Sequence, residues 1–254
     1  MTSNFNIIKN MLFKENPYLN ISNNLRPFEM QVFSTDEMGR WITNLISTER
    51  PNLIIEVGSW MGWSAIKMAD AIKKINLKDS GIICVDTWLG ALEFWATGRE
   101  NAGWWQQMHV SKNYFRENHY KFLSLKSGYP SVYYNFISNV FHKGHQNIIY
   151  PFPQTSDIAS KWFLYNQIEA DLIYIDASHD YEDVKRDLKN YFKILKEGGT
   201  IFGDDYWIHE VKKAVDEFVL ENKLTMELGI NIFWKIKKGN KDKTTNTNRK
   251  IKML

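Results

Sequence analysis

An α/β fold, with a mostly parallel sheet, helices on both faces and an antiparallel hairpin at its C-terminal end, is the class the sequence predicts. Three observations lead there. Short apolar runs recur at Leu53–Val57, Gly81–Asp86, Asp171–Asp176 and Thr200–Gly203, with helix-period segments between them. Glycines 58 and 62 follow the first run, where a buried strand must turn tightly into a helix. Two further apolar runs within 224–236, joined around Gly229 and Asn231, read as a closing hairpin.

Each element has its own signal. Residues 1–33, with Pro17 and Pro27, read as an irregular arm containing one short helix. Ser34-Thr-Asp-Glu37 has the form of a capping box, a serine hydroxyl accepting from the third helical N–H. The helix it opens carries Met38, Trp41, Ile42, Leu45 and Ile46 as one apolar stripe, ends before Pro51 and covers a sheet face. Strand 53–57 leads into a helix marked by Trp63, Ile66, Met68, Ala71 and Ile72. Residues 87–144 are rich in aromatics and glycine and include a helical stretch at 131–141. A connection of that length after the second strand suits a lid over the carboxyl edge of the sheet. Asn147–Tyr150 is the third strand, and a helix opens at Thr155. The helix after Asp176 is stopped by Gly198-Gly199, strand five follows, and another helix starts near His209. The resulting division is an arm and covering helix at 1–50, a main domain at 51–237 with an insertion at 88–145, and a polar tail at 238–254 expected to be disordered.

Composition narrows the function. In 254 residues, 44% hydrophobic and 15% aromatic, there is material for one sizeable α/β core. From Lys237 onward seven lysines and arginines face Asp242 alone, a balance of +6, so the rest of this +3 chain stands at −3. The folded body therefore offers no basic groove for nucleic acid. The single cysteine, Cys84, sits in an apolar strand, which fits core packing and a reducing compartment. No apolar run has the length of a membrane span and the N-terminus lacks a leader pattern, so a cytoplasmic location is expected.

The chemistry gathers at the strand ends. The turn after the first strand departs from Gly-x-Gly-x-x-Gly, because Ser59, Trp60 and Met61 separate its glycines and no third follows in phase. That disfavours a pyrophosphate cradle and favours a nucleoside without phosphates. Asp86, at the tip of the second strand, stands where ribose hydroxyls would find an acceptor. Asp176, Asp204 and Asp205 crowd two neighbouring strand ends, and like charges so placed call for a cation. Mg²⁺, an oxygen-seeking ion that shares its shell with substrate, is the economical choice. His179, three residues after Asp176, is a candidate general base. His109, His119, His142, His145 and His209 show no ligand spacing.

Four motifs in order, Glu56-Val-Gly-Ser-Trp-Met-Gly-Trp-Ser64, Val85-Asp-Thr-Trp88, Ile175-Asp-Ala-Ser-His-Asp-Tyr181 and Gly198-Gly-Thr-Ile-Phe-Gly-Asp-Asp205, resemble the class I S-adenosylmethionine-dependent methyltransferases. Within them the chain is most similar to the metal-dependent, macrocin-type O-methyltransferases of antibiotic sugars. The resemblance implies a Rossmann-like sheet and S-adenosylmethionine held by Glu56, Gly58, Ser59, Gly62, Asp86, Thr87, Trp88, Ser156 and Asp176. It further implies Mg²⁺ on Asp176, Asp204 and Asp205, and His179 with Asp176 as catalytic residues. The partner implied is a hydroxylated small molecule, a sugar or glycoside, and homo-oligomers are compatible with it. A metal-independent small-molecule methyltransferase and a nucleotide- or NAD-binding protein on the same fold are the alternatives.

Overall fold

Alternation along the strands divides the core into two layers. Ile55, Val57, Ile83, Val85, Ile173, Ile175 and Ile201 face one way; Ile54, Ile82, Cys84, Leu172, Tyr174 and Phe202 face the other. Both faces being covered, the strands read as nearly unbroken apolar runs. Each fully buried isoleucine stabilises the fold by about 1.5–3 kcal/mol relative to exposure.

The structure is a computed structural model and describes residues 4–19, 21, 35–95, 123–230 and 232–239. Its strands are β1 (Leu53–Val57), β2 (Gly81–Asp86), β3 (Ile149–Pro153), β4 (Ala170–Ile175), β5 (Leu195–Gly203), β6 (Met226–Leu228) and β7 (Trp234–Lys237). They form one sheet in the order β3-β2-β1-β4-β5-β7-β6. Pairing is parallel from β3 to β5 and antiparallel at β5–β7 and β6–β7, as the hairpin signal predicts.

The helices are α1 (Asn4–Leu12), α2 (Asp36–Glu49), α3 (Trp63–Lys74), the single turn α4 (Leu92–Trp95), α5 (Val132–His142), α6 (Ser156–Tyr165), α7 (Tyr181–Ile194) and α8 (His209–Glu221). Buried residues of α1, α6, α7 and α8 pack on the first face, and those of α2, α3 and α5 on the second. Among the described residues no helix is long and apolar enough to cross a membrane.

Three boundaries differ from expectation. The cap of α2 is Thr35, whose hydroxyl accepts from Met38 N–H at 3.2 Å; Ser34 lies outside the described residues. The third strand runs Ile149–Pro153, with Pro151 and Pro153 inside it. It is an edge strand, and a proline there leaves the outer rim one N–H short, which discourages pairing with another chain. Helix α7 ends at Ile194 and β5 begins at once, so Gly198 (φ +77°) and Gly199 lie within the strand entry rather than stopping the helix. Local glycine chemistry yielded to pairing of Ala170 with Leu195 across a register shift. Residues 22–34 of the arm and its end, the insertion's Trp104, Trp105, Tyr114 and Phe115, His109 and His119, and the tail from 240 lie outside the described residues.

Candidate functional site

Register explains why residues far apart in sequence meet. Val57 pairs with Ile175 and Ile175 with Gly203, so the residues leaving β1, β4 and β5, namely Gly58, Asp176 and Asp204, come level at the carboxyl edge. Gly58 N–H donates to Val85 C=O at 2.9 Å and Asp176 N–H to Val57 C=O at 2.8 Å, which ties three strand ends together. The turn at Gly58 has φ +88°, and a Cβ there would lie 2.0 Å from the Asp176 carbonyl oxygen.

Two carboxylates hold this turn. Glu56 is wholly buried beneath it, accepting from Ser59 Oγ at 2.5 Å, Ser64 Oγ at 2.6 Å and Cys84 Sγ at 3.3 Å. Burial pushes its pKa up to about 6, against the pull of the two serines. Asp86 accepts from the N–H groups of Ser59 (2.9 Å) and Trp60 (2.8 Å) on one oxygen and of Trp88 (2.7 Å) on the other. Burial pushes its carboxyl up, and these backbone N–H groups pull it back down.

The rest of the expected cofactor set borders the same edge. Gly62 caps α3 in the left-handed region. Thr87 Oγ1 accepts from Leu89 N–H at 3.3 Å. Trp88 is buried and donates its indole N–H to Trp60 C=O at 2.8 Å. Both tryptophans have positive φ, +45° at Trp60 and +52° at Trp88, uncommon for bulky residues and typical of positions held by their surroundings. Ser156 opens α6 after the Thr155 cap, and its carbonyl accepts from Tyr191 OH at 3.0 Å.

Beside the turn lies the acid cluster. One donor atom each from Asp176, His179 and Asp205 lie within 4.8 Å of one another. Asp176 accepts from Tyr174 OH at 3.1 Å. Asp205, at φ +54°, places one oxygen 2.8 Å from His179 Nε2 and accepts on the other from Trp207 Nε1 at 2.9 Å. The Nδ1 of His179 is buried. Burial, then the charges of Asp204 and Asp205, pushes the Asp176 carboxyl well above the usual range, and Asp204 is raised by burial and Asp205 in the same way. Carboxylates destabilised by each other, with an imidazole among them, fit a divalent cation.

Sequence reading missed Ser64, Tyr174 and Trp207. Strand alternation could have found Tyr174, two residues before Asp176 on the same face; nothing in the sequence marks the other two. His145 is bonded to Asp70 of α3 at 2.8 Å, away from these acids, and His209 is exposed at the start of α8. A cavity of about 300 Å³, lined by Phe5, Lys73, Lys78, Ser80 and Asn147, lies at the opposite, amino edge of β2 and β3. Open α/β sheets bind ligands at the carboxyl edge, and the strained turn and the acids stand there.

Glu56 makes the turn sensitive to pH. Unfolded, its carboxyl titrates near 4.5; folded, near 6. Between those values the folded state binds more protons, so stability falls as pH rises and the loss is complete above about pH 6, some ~2 kcal/mol for this shift. Denaturant titrations of the wild type and Glu56→Gln at about pH 5 and about pH 7.5 should show the wild type losing ~1 kcal/mol more between them, the rest of the ~2 kcal/mol having gone below pH 5. A difference independent of pH would mean that Glu56 titrates as in the unfolded chain.

Comparison with known proteins agrees with this geometry. The O-methyltransferase from Bacillus cereus in complex with SAH matches with a TM-score of 0.53 and 12% identity, over 81% of this chain and 82% of that one. The O-methyltransferase TomG from Streptomyces achromogenes, involved in tomaymycin synthesis and solved with SAM, matches with a TM-score of 0.51 and 12% identity over the same shares. At such identity these likenesses establish the fold. An uncharacterized protein of Acanthamoeba polyphaga mimivirus is 36% identical over 55 residues, 20% of this chain and 25% of that protein's length. A family model described as a methyltransferase domain matches residues 55–206, from β1 through the residues that follow β5. With more than half of its length so matched, including the glycine turn and the acid cluster, the chain belongs to the methyltransferase domain family.

Proposed function

We propose that this protein transfers the methyl group of S-adenosylmethionine to a hydroxyl of a sugar or sugar-containing metabolite, assisted by a divalent cation. The observation that carries the reading is the union, on one sheet edge, of the Gly58 turn with the cluster Asp176, His179, Asp204 and Asp205. The turn gives close backbone approach for a nucleoside, and Asp86, at the tip of β2 beside it, suits a ribose hydroxyl. The acids would hold the cation, with Mg²⁺ the choice for oxygen ligands alone. A cation held there supplies acidity to a bound hydroxyl. The chain's own task is to align acceptor oxygen, methyl carbon and sulfur in line and to exclude water. Exposed Trp95, Tyr129, Tyr134 and Trp207 offer flat apolar walls suited to a glycosidic acceptor.

The test has two stages. Calorimetry should detect binding of S-adenosylhomocysteine and none of NAD; the reverse would select the nucleotide-binding alternative. Turnover of S-adenosylmethionine against sugars, sugar nucleotides and catechols should then fall on exhaustive chelation and return with added divalent cation. Activity that survives chelation would select a metal-independent methyltransferase, and turnover of small alcohols alone would overturn the sugar assignment.

A further inference from the structure

We infer that Asp187 of α7 is a positioning residue for the cofactor's adenine: from the interior it holds Ser156 in the first turn of α6, and that turn borders the base. This rests on reading the edge as an S-adenosylmethionine site with the ribose at Asp86. The turn between β3 and α6 is joined to the ribose position directly. Asp86 pairs with Pro153, and the next residue, Gln154, donates its N–H to Asp86 C=O at 3.0 Å. In the sheet β2 stands between β1 and β3. With the ribose at the tip of β2 and the amino-acid half over the Gly58 turn, the base falls over the turn that opens α6.

Three side chains on one face of α7 meet that turn. Tyr191 OH donates to Ser156 C=O at 3.0 Å, and Asn190 Nδ2 reaches Asp157 Oδ1 at 3.4 Å. Asp187, one helical turn before Tyr191, is 2% exposed and meets the Ser156 side chain. Its Oδ1 has no hydrogen-bond partner among the described residues. A carboxyl so buried and so incompletely satisfied costs stability that an apolar residue of its size would not. Burial pushes it from 3.8 up to about 6, against the pull of Ser156 and of the Arg186 charge, while Asp183 and Asp157 add to the rise. The folded state therefore binds this proton more tightly than the unfolded chain does, and stability falls as pH rises from 3.8 through about 6. Above that range the ionised group destabilises the fold while accepting from the Ser156 hydroxyl.

Calorimetry at about pH 7.5, above that titration, with S-adenosylhomocysteine and with 5′-methylthioadenosine, which lacks the amino-acid half, tests this. Asp187→Leu, similar in size but without an acceptor, should weaken both ligands by the same factor, about 10-fold, the scale of one lost hydrogen bond. Asp187→Asn keeps an acceptor oxygen for Ser156 and should stay within about threefold of the wild type. Ser156→Ala should match Asp187→Leu, and the double variant should lose no more than either, because both changes remove the same tie. Both Asp187 variants should melt no lower than the wild type at this pH. Where Asp187→Leu does not fold, Ser156→Ala takes its place, and unchanged affinity there overturns the inference equally. Unchanged affinity in Asp187→Leu, additive losses in the double variant, a loss confined to S-adenosylhomocysteine, or a loss that comes with a lower melting temperature would each overturn it. A wild type that binds neither ligand refutes the methyltransferase reading and the inference with it. A wild type that binds both, with Asp187→Leu unaffected, refutes only the role of Asp187.

Discussion

Gly58→Ala should destabilise the fold by about 2–6 kcal/mol and abolish binding of S-adenosylhomocysteine. Two costs add. At φ +88° an L side chain is strained, by about 1–3 kcal/mol. The new Cβ would also stand 2.0 Å from the Asp176 carbonyl oxygen and 2.5 Å from Ala177 Cα, backbone that cannot step aside without breaking the Asp176 to Val57 hydrogen bond. Overpacking of this kind costs a further ~1–3 kcal/mol. Gly128 provides the control: its φ is +82° but nothing lies within 4 Å of a Cβ there. Gly128→Ala should therefore show the strain alone. Chemical denaturation and calorimetric binding on both variants check the comparison, and equal effects would mean that the close approach of β1 and β4 has no special weight.

Asp176→Asn should lower turnover at least ~10²-fold, the scale for removing a group that acts on developing charge, while raising the stability of the metal-free protein. The second half follows from the cluster's electrostatics. Burial and the charges of Asp204 and Asp205 hold the Asp176 carboxyl well above its ordinary range, so at neutral pH its ionised form is unfavourable in the folded state. A neutral amide of the same shape removes that cost, and the backbone N–H and C=O that join β1 remain. Activity lost while stability is gained marks a site kept under strain for function. Thermal unfolding with chelator present, beside the turnover assay, reads both quantities. A variant that melts lower than the wild type would show the Asp176 charge to be a structural tie.

Much of this architecture was legible in the chain because it depends on short-range rules. Period-2 and period-3.6 patterning located all four central parallel strands and their helices. The hairpin at Gly229 appeared where two apolar runs met a turn. Where local and non-local forces competed, the sequence misled. Gly198-Gly199 has the composition of a helix stop, yet pairing with β4 drew the chain into β5 from Leu195. Asn147 belongs to the turn before β3, and the strand continues instead through two prolines tolerated only because its outer side is an edge.

The sequence by itself determined that acids would gather at strand ends, because a strand's carboxyl terminus and the residue occupying it are adjacent in the chain. Gly58, Asp86, Asp176, Asp204 and Asp205 could be named on that basis. Only the tertiary structure decided how those groups divide the work. The in-register pairing of β1 with β2 turns Glu56 and Asp86 toward the glycine turn, where serine hydroxyls and backbone N–H groups occupy them. The pairing of β4 with β5 turns Asp176, His179 and Asp205 toward one another. Side-chain partners across strands depend on register and on which face of the pleat each residue takes, quantities fixed by packing of the whole sheet against its helices.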